Sequence, residues 1–174
     1  MKRRRIESLL EHDISLLAYH LPLDAHTTLG NNAQLASLMK WNTLGGLDSK
    51  AKYPVGNWGT TGQSMSLGAL GESLKANLNR PPLLISGGNH SIQSIAWCTG
   101  AAQSMIDKAL DAGADAFVSG EISESTVHFA RENGIHYISA GHHATERYGV
   151  QALAEWLVEQ TGITHQFVDI DSPV

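Results

Sequence analysis

Cysteine is nearly absent: Cys98 is the only one in 174 residues. No intrachain disulfide can form and no thiolate metal cluster can be built within one chain, so any metal must be held by His, Asp and Glu. Long apolar runs are also missing. None approaches the roughly 20 residues of a membrane-spanning helix, and Met1-Lys2-Arg3-Arg4-Arg5-Ile6 leads into charged positions instead of a signal-peptide core. A cytoplasmic location is expected. Positive charge is not in excess, since 12 Lys and Arg against 17 Asp and Glu give a formal charge of −5. That balance argues against a protein built chiefly to grip nucleic-acid phosphates. The Gly-Xaa-Ser-Xaa-Gly and phosphate-loop patterns do not occur, which removes the simple serine-hydrolase and nucleotide-loop readings. Trp41, Trp58, Trp97 and Trp156 are scattered and offer no stacking platform for single strands.

What is present suffices for a buried core, with 42% hydrophobic residues. Ile6, Leu9 and Leu10 recur at helical spacing over residues 4–12, and the apolar run 14–19 reads as a buried strand ending at His20. Pro22 bars continuation. Gly30-Asn31-Asn32 caps a helix carrying Ala33, Leu35, Ala36, Leu38 and Met39. Residues 42–71, rich in glycine, read as turns and short strands. Helices are expected over 70–78, 103–111, 123–133 and 145–160, and strands over 83–85, 92–98, 116–118, 136–140 and 166–170. Strands alternating with amphipathic helices imply an α/β fold with parallel pairs, whose sites lie beyond the carboxyl ends of the strands. The basic start of the first helix opposes the macrodipole, which suggests that residue 1 is not a natural element boundary.

Two ligand-rich segments fall at that edge. In Gly141-His142-His143-Ala144-Thr145-Glu146-Arg147, His142 and Glu146 stand four residues apart, so a helix starting there puts both on one face, where they can chelate a cation. An exposed histidine and a first-turn glutamate of a helix N-terminus fit the same residues. In His20-Leu21-Pro22-Leu23-Asp24-Ala25-His26, Asp24 sits on a loop stiffened by Pro22 and can reach toward the other cluster. His20 is open to three roles: core histidine, ligand, or a group orienting Asp24. His26 is open to a surface role. Glu121, after another strand, is a general base, an acceptor behind a ligand, or a helix N-terminal carboxylate. Cys98 reads as packing more readily than as a nucleophile, because no neighbouring base is identifiable.

These two segments, with Gly30-Asn31-Asn32-Ala33-Gln34-Leu35, Trp97-Cys98-Thr99-Gly100 and Ser119-Gly120-Glu121, closely resemble the Nif-three-like family, whose members are often labelled GTP cyclohydrolase type-2 homologues. The resemblance runs over essentially the whole chain. It implies a two-lobed α/β fold with mixed and parallel sheets flanked by helices, a dinuclear divalent-metal site, a ring-shaped homohexamer, and hydrolase-like chemistry on a small-molecule substrate. By motif match Asp24, His142 and Glu146 look like metal ligands, with Glu146 bridging two ions. Zn, Mn, Fe, Co or Ni suits such a donor set.

Family members carry, ahead of the segment resembling residues 1–24, a region ending in His-His-Gly that supplies two further ligands, and no His-His-Gly occurs here. The chain is therefore expected to resemble a member shorn of its first third: 1–44 as the remainder of the metal-binding lobe, 45–90 as a connecting and second-lobe segment, and 91–174 as the α/β segment with the Gly141–Glu146 motif. A weakened or mononuclear site and an exposed apolar face are expected consequences. Two other functions stay open, a non-catalytic ring scaffold for a protein or nucleic-acid partner, and an inactive remnant.

Overall fold

The structure, a computed structural model, describes residues 2–174. The chain runs α1 (Lys2–Glu11), α2 (His20–Asp24), α3 (Asn31–Met39), β1 (Asn42–Gly46), β2 (Asn57–Met65), α4 (Leu67–Leu78), β3 (Leu83–Ile85), β4 (Ile92–Cys98), a 3-10 turn (Gln103–Met105), α5 (Ile106–Asp111), β5 (Ala116–Ser119), α6 (Glu124–Asn133), β6 (His136–Ser139), α7 (His142–Glu146) and α8 (Tyr148–Thr161). The strands form one mixed sheet in the order β1-β2-β4-β5-β6-β3. All three segments expected from the sequence contribute strands to it.

β4, β5 and β6 pair in parallel at the centre, and the outer strands join antiparallel. Period-two side-chain alternation divides the core between the two faces. Ile95, Trp97, Val118 and Ile138 face α3 and α4, packing with Leu35, Leu70 and Leu74. Ala96, Cys98, Phe117 and Tyr137 face the other way, onto Ile106 and Ala109 of α5 and Ala130 of α6. The result is an α/β sandwich of three layers. Cys98 pairs with Ser119, and Ser119 with Ser139, so the three parallel strands end level with one another. The turns that follow, at Thr99, Gly120 and Ala140, therefore open at one sheet edge. No helix among the described residues is long and apolar enough to cross a membrane.

Three expectations need correction. Residues 14–19 are not a buried strand: they form irregular backbone with Leu16 and Leu17 74% and 77% exposed. Apolarity favours burial but supplies no hydrogen-bonding neighbour, and no strand among the described residues lies beside this run. The segment 166–170 is likewise no strand. Its path is held by polar contacts, with Asp169 meeting His143 at 2.8 Å and Arg147 at 3.0 Å, and Arg80 donating to the Pro173 carbonyl. The expected helix 145–160 is two helices, α7 and α8, that meet at Arg147, and the first begins at His142. In the glycine-rich middle the short strands exist, and β2 is longer than the sequence suggests, at nine residues. Glycine at positions 59 and 62 hides the alternation by which strands are read.

Candidate metal centre

Asp24, expected on a loop, is a carboxylate only 5% exposed at the C-terminal end of the one-turn helix α2, which admits Pro22 because first-turn residues need no N–H. Four residues earlier on the same helix, His20 brings Nε2 to 3.9 Å from Asp24 Oδ2. Its imidazole is exposed, so the core-histidine role is ruled out. Among the described residues this imidazole is the only ion-pair partner of Asp24; no lysine or arginine meets it. The other oxygen, Oδ1, accepts from Asn31 Nδ2 at 2.7 Å. Asn32 ties the same residue by its main chain, donating to the Asp24 carbonyl at 3.3 Å and accepting from Thr99 N at 3.0 Å.

The second cluster lies on α7. Buried Thr145 locks this helix to the end of β4, accepting from Gly100 N at 3.1 Å and donating to the Gly141 carbonyl at 2.9 Å. Glu146 then lies directly against Gly100, whose φ of +69° places its backbone where an added Cβ would overlap the carboxylate. His142 Nε2 is 3.0 Å from Glu146 Oε2, and its Nδ1 is 2.6 Å from Glu121 Oε1. A carboxylate behind one ring nitrogen fixes the orientation of the other, an arrangement common behind metal-bound histidines. Of the three roles open to Glu121, an acceptor behind His142 is the one this contact matches. His143 turns away to Asp169, and His26 accepts from Thr28 N and Leu29 N in a local surface turn.

Asp24, Glu146 and His20 thus converge: one ligand atom from each lies within 4.8 Å of the others. His142 adjoins them through Glu146 and not through this three-atom set. Burial, with the like charge of Asp24, pushes the Glu146 carboxyl up, and His142 opposes the shift. For His142 burial works against protonation, but the Glu121 hydrogen bond and the Glu146 charge outweigh it and raise its affinity for a proton. Cys98 lies on the same edge, and burial, aided by the charges of Asp24 and Glu146, pushes its thiol up to about 12. Its side chain is buried among the core residues of that sheet face, the packing expected from the sequence.

The donor set fits a divalent cation. Two carboxylates and an imidazole converge, one carboxylate is buried without a full cationic partner, and a buried charge so placed is costly until it is neutralised. Separations within 4.8 Å need only small rotations to reach the roughly 3.3 Å between ligands sharing one ion at bonds of about 2.0 Å. Two clefts touch all three of these residues. One of about 480 Å³ runs past Thr99, Ser104 and Met105 to Lys108, which is paired with Asp48 at 2.7 Å. The other, about 670 Å³, is walled by Leu17, Tyr19, Leu23, Val150 and Leu157. The anchoring asparagines were legible in the sequence only as a helix cap; two adjacent amides at a helix start were the available signal.

Comparison with known proteins gives the family and the fold. The family described as DUF34/NIF3 (NGG1p interacting factor 3) matches residues 1–173. A Haemophilus influenzae protein named GTP cyclohydrolase 1 type 2 homolog is 49% identical over 174 residues, covering 99% of this chain and 69% of that protein. A relative of the same name from Escherichia coli K12 is 47% identical over 99% of this chain and 68% of its own. The solved structure described as protein ybgI, of unknown function, superimposes with a TM-score of 0.94 at 47% identity, over 100% of this chain and 69% of that one. A structure from Thermus thermophilus gives 0.88 at 31% identity, over 99% and 67%. With nearly every residue matched and the whole fold superimposed, this chain belongs to the DUF34/NIF3 family.

Proposed function

We propose that this chain binds a divalent metal ion through Asp24, His142 and Glu146, with His20 as a further donor, and that the ion serves hydrolysis of a small-molecule substrate entering by the adjoining cleft. The observation that carries the reading is the buried Asp24 carboxylate facing Glu146 and His20 within 4.8 Å. A divalent cation there supplies Lewis acidity and a water of lowered pKa. Asp24 offers Oδ2, which lies on the His20 side, while Asn31 steadies Oδ1. His142 offers Nε2, because Glu121 holds Nδ1. Glu146, backed by Gly100 and raised in pKa by burial, can ligate or accept a proton. The relatives' name, GTP cyclohydrolase 1 type 2 homolog, favours a ring amide of a nucleotide as the substrate type. With two carboxylates and one or two imidazoles this chain holds one ion with modest affinity, and Zn, Mn, Fe, Co and Ni all suit it.

The test is metal content after incubation with Zn or Mn and dialysis, compared with the Asp24→Ala/Glu146→Ala variant. About one ion per chain, lost in the variant, is expected. Retention unchanged by both substitutions, or no retention by the parent chain, rejects the reading. Hydrolytic activity that needs added metal and disappears in Glu146→Gln separates catalysis from a purely structural ion.

A further inference from the structure

We infer that Asn31 is the positioning residue of this site, a single side-chain amide that sets the placement of the Asp24 carboxylate relative to Glu146. The inference rests on the metal-binding reading for its consequence but on hydrogen-bond geometry for its substance. Asn31 is the first residue of α3 and is 6% exposed. Its Nδ2 donates to Asp24 Oδ1 at 2.7 Å, and its Oδ1 accepts from Gly149 N at 2.7 Å. A carboxylate can only accept and a backbone N–H can only donate, so the amide has one workable orientation.

Gly149 belongs to the first turn of α8, three residues beyond Glu146, where helix N–H groups have no acceptor within their own helix. Asn31 Oδ1 satisfies one of them. The approach is so close that a Cβ on residue 149 would lie 2.6 Å from Asn31 Oδ1 and 3.1 Å from Asn31 N. Glycine is required there by the amide, since its φ is not in the left-handed region. The two carboxylates sit on separate helices, α2 and α7, and the amide joins the end of one to the chain that continues from the other. Its hydrogen bond to Oδ1 orients the carboxylate so that Oδ2, which no amide meets, is directed to the His20 side. Its neighbour Asn32 anchors the main chain of Asp24 to β4 but makes no contact with the carboxylate, so the two asparagines divide the work between backbone and side chain.

The experiment has a metal-free arm and a metal arm. In the first, the Gly149 amide resonance and its hydrogen exchange are followed in the chain, in Asp24→Ala, in Asn31→Ala and in the double variant. Asp24→Ala is expected to move Gly149 when Asn31 is present and to leave it in place when Asn31 is alanine. A Gly149 amide indifferent to Asp24→Ala overturns the inference whatever the metal does. In the second arm Co(II) is titrated into the same proteins. Asn31→Ala is expected to weaken binding about 10–100-fold and to alter the d–d spectrum, as loss of groups behind metal ligands does, while the thermal melt stays cooperative. Unchanged affinity and spectrum in the folded variant also overturn it. Should Asn31→Ala fail to fold, Asn31→Ser keeps a hydroxyl for the α8 amide yet is too short to span to Asp24, and the same two readouts apply. Absence of binding in the parent chain rejects the metal reading instead, and the Gly149 arm alone then decides the role of Asn31.

Discussion

At the scale of single residues, the edge of the sheet is governed by how closely backbone and carboxylate approach. Gly100 holds φ +69° and lies against Glu146. Gly100→Ala therefore meets two penalties at once, about 1–2 kcal/mol for a left-handed alanine and a Cβ in the space of the carboxylate. The expected outcome is a lowered melting temperature together with loss of metal retention, read by calorimetry and elemental analysis on one preparation. A variant that melts early but keeps its metal would show that Glu146 has room to move aside, and would remove Gly100 from any role in shaping the site.

Among the elements, α4 and β6 make the clearest tests. Ser66 caps α4 by accepting from Ala69 N at 3.2 Å, and Ser66→Ala should cost about 1 kcal/mol in a denaturant titration. At the start of β6, His136 is 1% exposed, accepts from Gly87 N at 3.1 Å through Nδ1, and donates from Nε2 to the His90 carbonyl at 3.1 Å. The ring of His90 stacks on it at 4.1 Å, and Asp115 lies beyond. Burial lowers its pKa, with the His90 charge adding to the effect, while the His90 carbonyl and Asp115 oppose it. The unfolded chain therefore binds this proton more readily than the folded one. Stability from neutral His136 is complete above the ordinary histidine pKa of about 6.5 and is lost as pH falls from there toward the depressed folded value. Melts between about pH 7.5 and 5 should show a falling acid limb that is flatter in His136→Gln. An identical slope in both proteins would exclude this ring as its source.

For the molecule as a whole, the apolar surface is unevenly distributed. Leu16, Leu17, Tyr19, Val150 and Trp156 are all exposed, and Leu17, Tyr19 and Val150 share the 670 Å³ cleft. Large exposed apolar patches on soluble chains mark association surfaces. The chain is expected to self-associate, and Leu17→Ser with Val150→Ser should move the mass measured by light scattering toward one chain. A parent protein that stays monomeric at every concentration would refute the expectation.

Local chemistry was legible wherever the signal was local. The i, i+4 pair His142 and Glu146, the α/β alternation from Ile92 onward and the packing role of Cys98 could all be read from the sequence, because helix periodicity and strand alternation are properties of consecutive residues. The sequence determined, by itself, the family, the donor types available to a metal, and the presence of strands at β4, β5 and β6. It misled at 14–19 and 166–170, where apolar composition stood for a strand that lacked a neighbour. Only the tertiary structure decided that His20 joins Asp24 and Glu146, that Glu121 backs His142, and that Asn31 spans to Gly149, 118 positions away. Such contacts depend on three parallel strands ending in register and on glycine backbones permitting close approach, and neither condition is written in the spacing of neighbouring residues.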